Sequence, residues 1–205
     1  MQDRVILALE SCLSRCSAAV LAGDRVLAQA SEPMQRGHAE RLAPMVQEVM
    51  AGAELAFADL DRLAVTIGPG SFTGMRVGLA FARGLALALG KPIIGLSSLE
   101  VLALAEGEAG WRAGAIPSAE GVFFALYEEG EVRIAPARLA LAQAQASLAG
   151  RSVCITGPAA AEFAGLGGGH RVTDSPCVLA LARLAARRDP ASFPASPLYL
   201  RAALA

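Results

Sequence analysis

Two adjoining stretches decide how this chain folds: Arg62-Leu-Ala-Val-Thr-Ile67, then Gly68-Pro-Gly-Ser-Phe-Thr-Gly-Met-Arg76. An apolar run ends in a glycine-rich loop, and the loop opens a long apolar helix. Glycines at 68, 70 and 74 let the backbone turn sharply and approach a neighbour closely. Ser71 is placed to cap the helix, which the pattern carries from Phe72 to about Leu89. Such a strand–loop–helix unit has two uses. Its free amides and helix dipole can hold an anion, or it can be a tight turn that brings two backbones together.

Upstream, Val5–Leu9 reads as a buried strand ended by Glu10 and Ser11. Cys16–Leu21 and Arg25–Ala30 come next as strands separated by Gly23-Asp24, which predicts an antiparallel start. From His38 to Ala51 the period becomes helical, with Leu42, Met45, Val46 and Val49 on one stripe. Downstream, Lys91-Pro92 stops the second helix, Ile93–Leu96 is a strand, and a serine caps a helix over Leu99–Ala105. Glu106-Gly-Glu-Ala-Gly110 marks a composition shift, so two lobes are expected, residues 1–105 and 106–205. The second half repeats the theme, with strands over Ala113–Ile116, Val122–Tyr127, Val132–Ile134 and Val153–Thr156. Its helices are expected over Leu139–Leu148, Pro158–Leu166 and Cys177–Arg187, before an extended, proline-rich Asp189–Pro197. The order predicts an internally duplicated α/β fold with an eroded second copy.

Composition narrows the classes. At 205 residues and 54% hydrophobic content, the chain can bury a real core and expose an apolar surface to a partner. Its net charge is −1 and Lys91 is its only lysine, so contact with a polynucleotide calls for a partner protein. No membrane span is expected, because the most apolar stretch, Val77–Leu89, is short and carries Arg83. Glu10 and Arg15 interrupt the apolar N-terminus, which argues against a signal peptide and for a cytoplasmic protein. Cys12, Cys16, Cys154 and Cys177 lack zinc-knuckle spacing and are expected to be free thiols.

The loop carries neither common phosphate motif. A Walker loop needs a lysine where Met75 stands, and the glycine spacing misses the dinucleotide fingerprint by one residue. The helix after it carries two lines of small residues, Ala80, Gly84 and Ala88, and Gly74, Gly78 and Ala82, which permit close helix approach. Arg76 and Arg83 share a face and could frame such a contact. His38 and His170 are the only histidines, and no metal-ligand pair or Ser–His–Asp arrangement can be assembled. Glu10-Ser11 remains as a strand-end carboxylate and hydroxyl of the kind that places Mg-phosphate in some sugar-kinase-like ATPases, or as a plain strand end.

Taken together, Ile6-Leu-Ala-Leu-Glu-Ser11, Arg36-Gly-His-Ala-Glu-Arg-Leu-Ala-Pro44 and Gly68 through Ala80 resemble the bacterial TsaB (YeaZ) family. Ile94-Gly-Leu-Ser-Ser-Leu99 and the ending Pro197-Leu-Tyr-Leu-Arg201 fit it too. The resemblance is specific through about residue 105 and thin from there to the tail. It implies an actin/hexokinase/Hsp70-like (ASKHA) fold of two lobes, the second shortened. It further implies a non-catalytic subunit of the machinery that makes threonylcarbamoyladenosine beside the anticodon of tRNAs reading ANN codons. Its partners would be a TsaD-like catalytic paralogue and a TsaE-like ATPase, docked on the helices His38–Ala51 and Phe72–Leu89, with tRNA met only through the complex. Self-association through the same helices is known in the family when the paralogue is absent.

Two departures from the family weigh against independent catalysis. Glu10-Ser11 stands where the family usually has Asp-Thr, and Ile116-Pro-Ser-Ala119 stands where the second lobe typically has Ile-Asp-Ala-Arg. Proline offers neither a carboxylate nor a backbone N–H. The expected interface therefore comprises Leu42, Met45, Val46, Val49, Met75, Leu79 and Ala82, with His38, Phe72, Arg76, Gly78 and Arg83 around them. Glu10, Ser11, Gly68, Gly70 and Ser71 are the candidates for a vestigial phosphate site; no catalytic residue, metal or resident cofactor is expected, and ATP could enter at the level of the complex. The rival expectations are an ATP-dependent enzyme using Glu10 and the glycine loop, and a glycoprotease-type metallopeptidase.

Overall fold

A computed structural model describes residues 4–166 and 168–200. The first half builds β1 (Val5–Glu10), β2 (Arg15–Ala22), β3 (Arg25–Pro33), α1 (His38–Gly52), β4 (Arg62–Thr66), α2 (Phe72–Leu89), β5 (Ile93–Leu96) and α3 (Ser98–Leu104). The second half builds β6 (Trp111–Ser118), β7 (Gly121–Glu128), β8 (Glu131–Leu139), α4 (Leu141–Ala146), β9 (Val153–Thr156), a 3-10 turn (Ala160–Phe163), β10 (His170–Arg171) and α5 (Val178–Arg187).

The duplication is explicit in the sheets. The first runs β3-β2-β1-β4-β5 and the second β8-β7-β6-β9-β10, the same order shifted by five strands. In each, the first three strands are antiparallel and the last two join in parallel. The tight Gly23-Asp24 turn, the antiparallel start and the α2 bounds agree with the sequence.

Each first strand is buried on both faces, so alternation along it sorts side chains between two cores. Leu7 and Leu9 join the core under α1 and α2, while Ile6 and Ala8 join one that also holds Leu99, Leu102 and Leu181. That second core lies between the sheets, because the helices are exchanged: α3 packs on β6 and β7, and α5 packs on β1 and β2. A third core, centred on Phe124 and Phe163, fills the outer side of the second sheet. Arg62, buried at the start of β4, donates from Nη1 to the carbonyls of Ala185 and Arg188 at 2.6 and 2.9 Å. It thereby ties the open C-terminal carbonyls of α5 to the first sheet.

The second half departs from expectation in three places. The helix expected over Leu139–Leu148 is confined to α4, because Leu139 stays in the β8 ladder opposite Val122. The helix expected over Pro158–Leu166 is only the 3-10 turn, closed by Gly165 at φ 83°. The strand β10 has no counterpart among the expected strands, since His170 and Arg171 are both exposed and carry no apolar alternation. The four cysteines are free thiols, with Cys12 and Cys16 buried. Arg201, which ends the C-terminal motif, lies outside the described residues.

Candidate functional site

The glycine loop is pressed against the end of β1. A Cβ added at Gly70 would overlap the Cys12 carbonyl oxygen, and one at Gly74 the Ser11 carbonyl oxygen. At Gly78 it would overlap the Ser11 hydroxyl, which donates to the Gly74 carbonyl at 2.9 Å. Three of the loop's amides are turned inward as well. Ser71 N–H donates to the Cys12 carbonyl, Gly74 N–H to the Ser71 hydroxyl at 3.2 Å, and Met75 N–H to the Ser71 carbonyl at 2.9 Å. Ser71 is thus the helix cap the sequence placed there. Gly68, at φ 96°, turns its carbonyl to the Ser98 amide at 2.8 Å.

Glu10 is sealed beneath this loop with no exposed surface. Its Oε1 accepts from the amides of Cys12 and Leu13 at 2.8 and 3.2 Å, while Oε2 has no hydrogen-bond partner among the described residues. Burial pushes its pKa up to about 7, against the opposing pull of the two amides. Burial pushes the neighbouring Cys12 thiol up as well, with the Glu10 charge adding to it.

Between the lobes lies a cleft of about 500 Å³, edged by Gly70 and Ser71 on one side and by Pro117 and Phe123 on the other. Leu13, Ile116 and Pro158 extend its apolar wall, Asp174 is its one charged side chain, and neither Glu10 nor Ser11 reaches it. The wall therefore offers no cation to neutralise a polyphosphate. Among the described residues, no group of three or more His, Cys, Asp and Glu could hold a metal ion. His38 is buried with Nε2 unpaired, and His170 is exposed on β10.

The helices present a different surface from the one the sequence assigned. Leu42, Met45, Val46 and Val49 of α1, and Met75, Leu79 and Ala82 of α2, are at most 3% exposed. They form the first lobe's own core, and Gly78 sits in contact with Ser11. His38 is also interior, at 5% exposure. Of the assigned set, Phe72, Arg76 and Arg83 face outward. With them stand residues outside the expected interface: Thr73, Ala80, Gly84 and Leu87, the last 85% exposed. A Cβ at Gly84 would meet nothing within 4 Å. Of the two small-residue lines, Gly74/Gly78/Ala82 packs on β1 and Ala80/Gly84/Ala88 faces out. By length and composition α2 could cross a membrane, and a third of that segment is buried in the fold.

The family described as "TsaD: tRNA N6-adenosine threonylcarbamoyltransferase" matches residues 26–163. The tRNA threonylcarbamoyladenosine biosynthesis protein TsaB of Haemophilus influenzae is 40% identical over 109 residues, 53% of this chain and 45% of that protein. The chain spans about half the length or less of the curated relatives it matches. A Pseudomonas aeruginosa crystal structure, described as similar to peptidase YEAZ, superposes with a TM-score of 0.75 at 30% identity, covering 97% of this chain and 100% of that one. The ROK hexokinase of Thermus thermophilus shares the fold, with a TM-score of 0.52 at 15% identity over 88% of this chain and 97% of its own. The architecture is the ASKHA fold.

Proposed function

Because the chain belongs to the TsaD family, in its TsaB (YeaZ) branch, we propose that it is a non-catalytic subunit of the machinery that makes threonylcarbamoyladenosine in tRNAs reading ANN codons. It docks a TsaD-like catalytic paralogue through the outer side of α2, meets a TsaE-like ATPase in the same assembly, and reaches tRNA through that assembly. Without the paralogue, the same side supports a homodimer. The chain works in the cytoplasm and carries no cofactor of its own, ATP entering at the level of the complex.

The observation that supports this is the outward side of α2, where Phe72, Ala80, Gly84 and Leu87 stand in solvent on a rigid helix. Exposed apolar surface of this kind marks a protein contact, and Ala80 and Gly84 let a partner helix come close. Leu87→Asp and Gly84→Arg should abolish co-purification with the paralogue and leave the melting transition in place, because both sites face solvent. Unchanged capture by both variants would sink the docking claim. Gly78 and Ala82 cannot serve as probes, since large side chains there would break the core.

A rival enzyme using Glu10 and the glycine loop needs a carboxylate that meets the nucleotide. Glu10 is closed off from the cleft, and the amides of Ser71, Gly74 and Met75 already have partners. Calorimetry of the isolated chain with Mg-ATP is expected to give no binding heat. Micromolar binding that is lost in Glu10→Ala would restore the enzyme reading.

A further inference from the structure

Three cationic side chains stand along α2 and the turn after it. Arg76 and Arg83 are exposed and lie roughly 10 Å apart along the axis, at about 1.5 Å per residue. Among the described residues neither forms an ion pair. Beyond Arg83, a groove of about 540 Å³ runs along the end of α2, with Arg83, Gly84, Leu87 and Lys91 in its wall and no carboxylate.

Arg76 is held in place. Its guanidinium lies 3.6 Å above the Phe72 ring, and its Nε donates to the Tyr199 hydroxyl at 3.2 Å. The Tyr199 and Phe72 rings are 6.1 Å apart. Tyr199 is delivered by the C-terminal stretch, which is seated by its backbone. Leu198 N–H donates to the Ile67 carbonyl at 2.9 Å, and the Phe193 carbonyl accepts from Gly95 N–H at 3.0 Å. A Cβ at Gly95 would stand 2.7 Å from Ala195 Cα, so glycine is needed there for the stretch to lie down. An arginine fixed before contact loses less side-chain freedom on binding.

Resting on the reading of α2 as the docking helix, we propose that Arg76, Arg83 and Lys91 select a partner surface that is apolar at its centre and rimmed with carboxylates, and that Tyr199 is a positioning residue for Arg76. The favoured occupant is a different protein, the catalytic paralogue, and a second copy takes this side only more weakly, in the paralogue's absence. In a two-fold pairing of α2 about Ala80, Arg76 of one chain comes beside Arg83 of the other, and like charges oppose the contact. On α1, Glu48 is already held by Arg41, which also grips Glu32, so Glu40 is the one uncommitted carboxylate of that helix.

The test uses the full chain and its full-length TsaD-like paralogue, with Arg83→Glu, Tyr199→Ala and Tyr199→Phe, folding being checked by thermal melting. Arg83→Glu should weaken paralogue binding at least about tenfold. It should also tighten self-association in sedimentation, since Glu would then face Arg76 of the other copy. Tyr199→Ala should weaken binding about threefold to tenfold and flatten its salt dependence, which a purely structural loss would leave alone. Tyr199→Phe, which keeps the ring and loses the bond to Arg76, should fall between. Wild-type affinity for the paralogue in Arg83→Glu, or no effect of Tyr199→Ala, overturns the proposal. If Leu87→Asp abolishes capture while Arg83→Glu does not, the docking helix stands and charge selection falls. If Leu87→Asp is silent, both fall.

Discussion

In the first lobe β4 runs through Gly68 into the 18-residue α2; in the second, β9 runs through Gly157 into a four-residue 3-10 turn. Both turns hold a glycine where two backbones approach closely. A Cβ at Gly70 would overlap the Cys12 carbonyl oxygen, and a Cβ at Gly157 would overlap the Ala115 carbonyl oxygen. The close approach of the loop to the backbone at or just after the lobe's first strand is therefore a packing requirement common to both copies. It carries no information about phosphate. The copies differ in the element after the turn and in the residue at the end of the first strand. One has a long helix with a free outer side over a buried carboxylate, the other a short turn and Pro117.

The largest effects should come from the shared part. Gly74→Val, which meets the Ser11 carbonyl, and Gly157→Ala, which meets the Ala115 carbonyl at φ 138°, are each expected to cost about 3 kcal/mol in denaturant unfolding. A silent substitution in either lobe breaks the comparison at its root.

The next effect belongs to the first lobe alone. Glu10 in the fold keeps its proton up to about pH 7, against an ordinary value of 4.5. Between those values the folded chain binds more protons than the unfolded one, so stability falls as pH rises through that window. The total loss is about 3 kcal/mol, reached by neutral pH and maintained above it. Glu10→Gln should remove that slope. Glu100, whose carboxyl burial also raises against the pull of Arg188, should keep a slope of the same sign in that variant. Melting curves from pH 4.5 to 8 that coincide for wild type and Glu10→Gln would contradict the sealed position of the carboxylate.

The smallest effect has the opposite sign. Gly84→Ala, on the outward side of α2, should stabilise the isolated chain by about 0.5–1 kcal/mol, because nothing crowds the new methyl and alanine is the better helix former. Gly74 and Gly84 on one helix should thus respond in opposite directions. A loss at Gly84 in the isolated chain would mean that its side of α2 is already covered.

The strands of the first lobe, the Ser71 cap and the bounds of α2 were legible in the sequence, because glycine, serine and proline punctuate strong apolar runs there. The second lobe was harder to read. Leu139 obeys its ladder rather than its helical neighbours, and β10 is too short and too polar to show a period. The orientation of the helices was the main thing missed. The stripe Leu42, Met45, Val46 and Val49 marks α1's buried side, whereas α2 is apolar around most of its circumference and only Arg76 and Arg83 point to its outward side. The Tyr199 contact joins residues more than a hundred positions apart, so no local pattern carries it.

Local chemistry alone yields the duplicated order of elements, the glycine loop and a proline at 117 that offers no carboxylate; that a carboxylate is expected there comes from the family resemblance. Which small-residue line faces β1, the sealing of Glu10 and the reach of the tail to Arg76 are settled by three-dimensional packing. Those are set by which surfaces meet at van der Waals distance, and local pattern does not encode that.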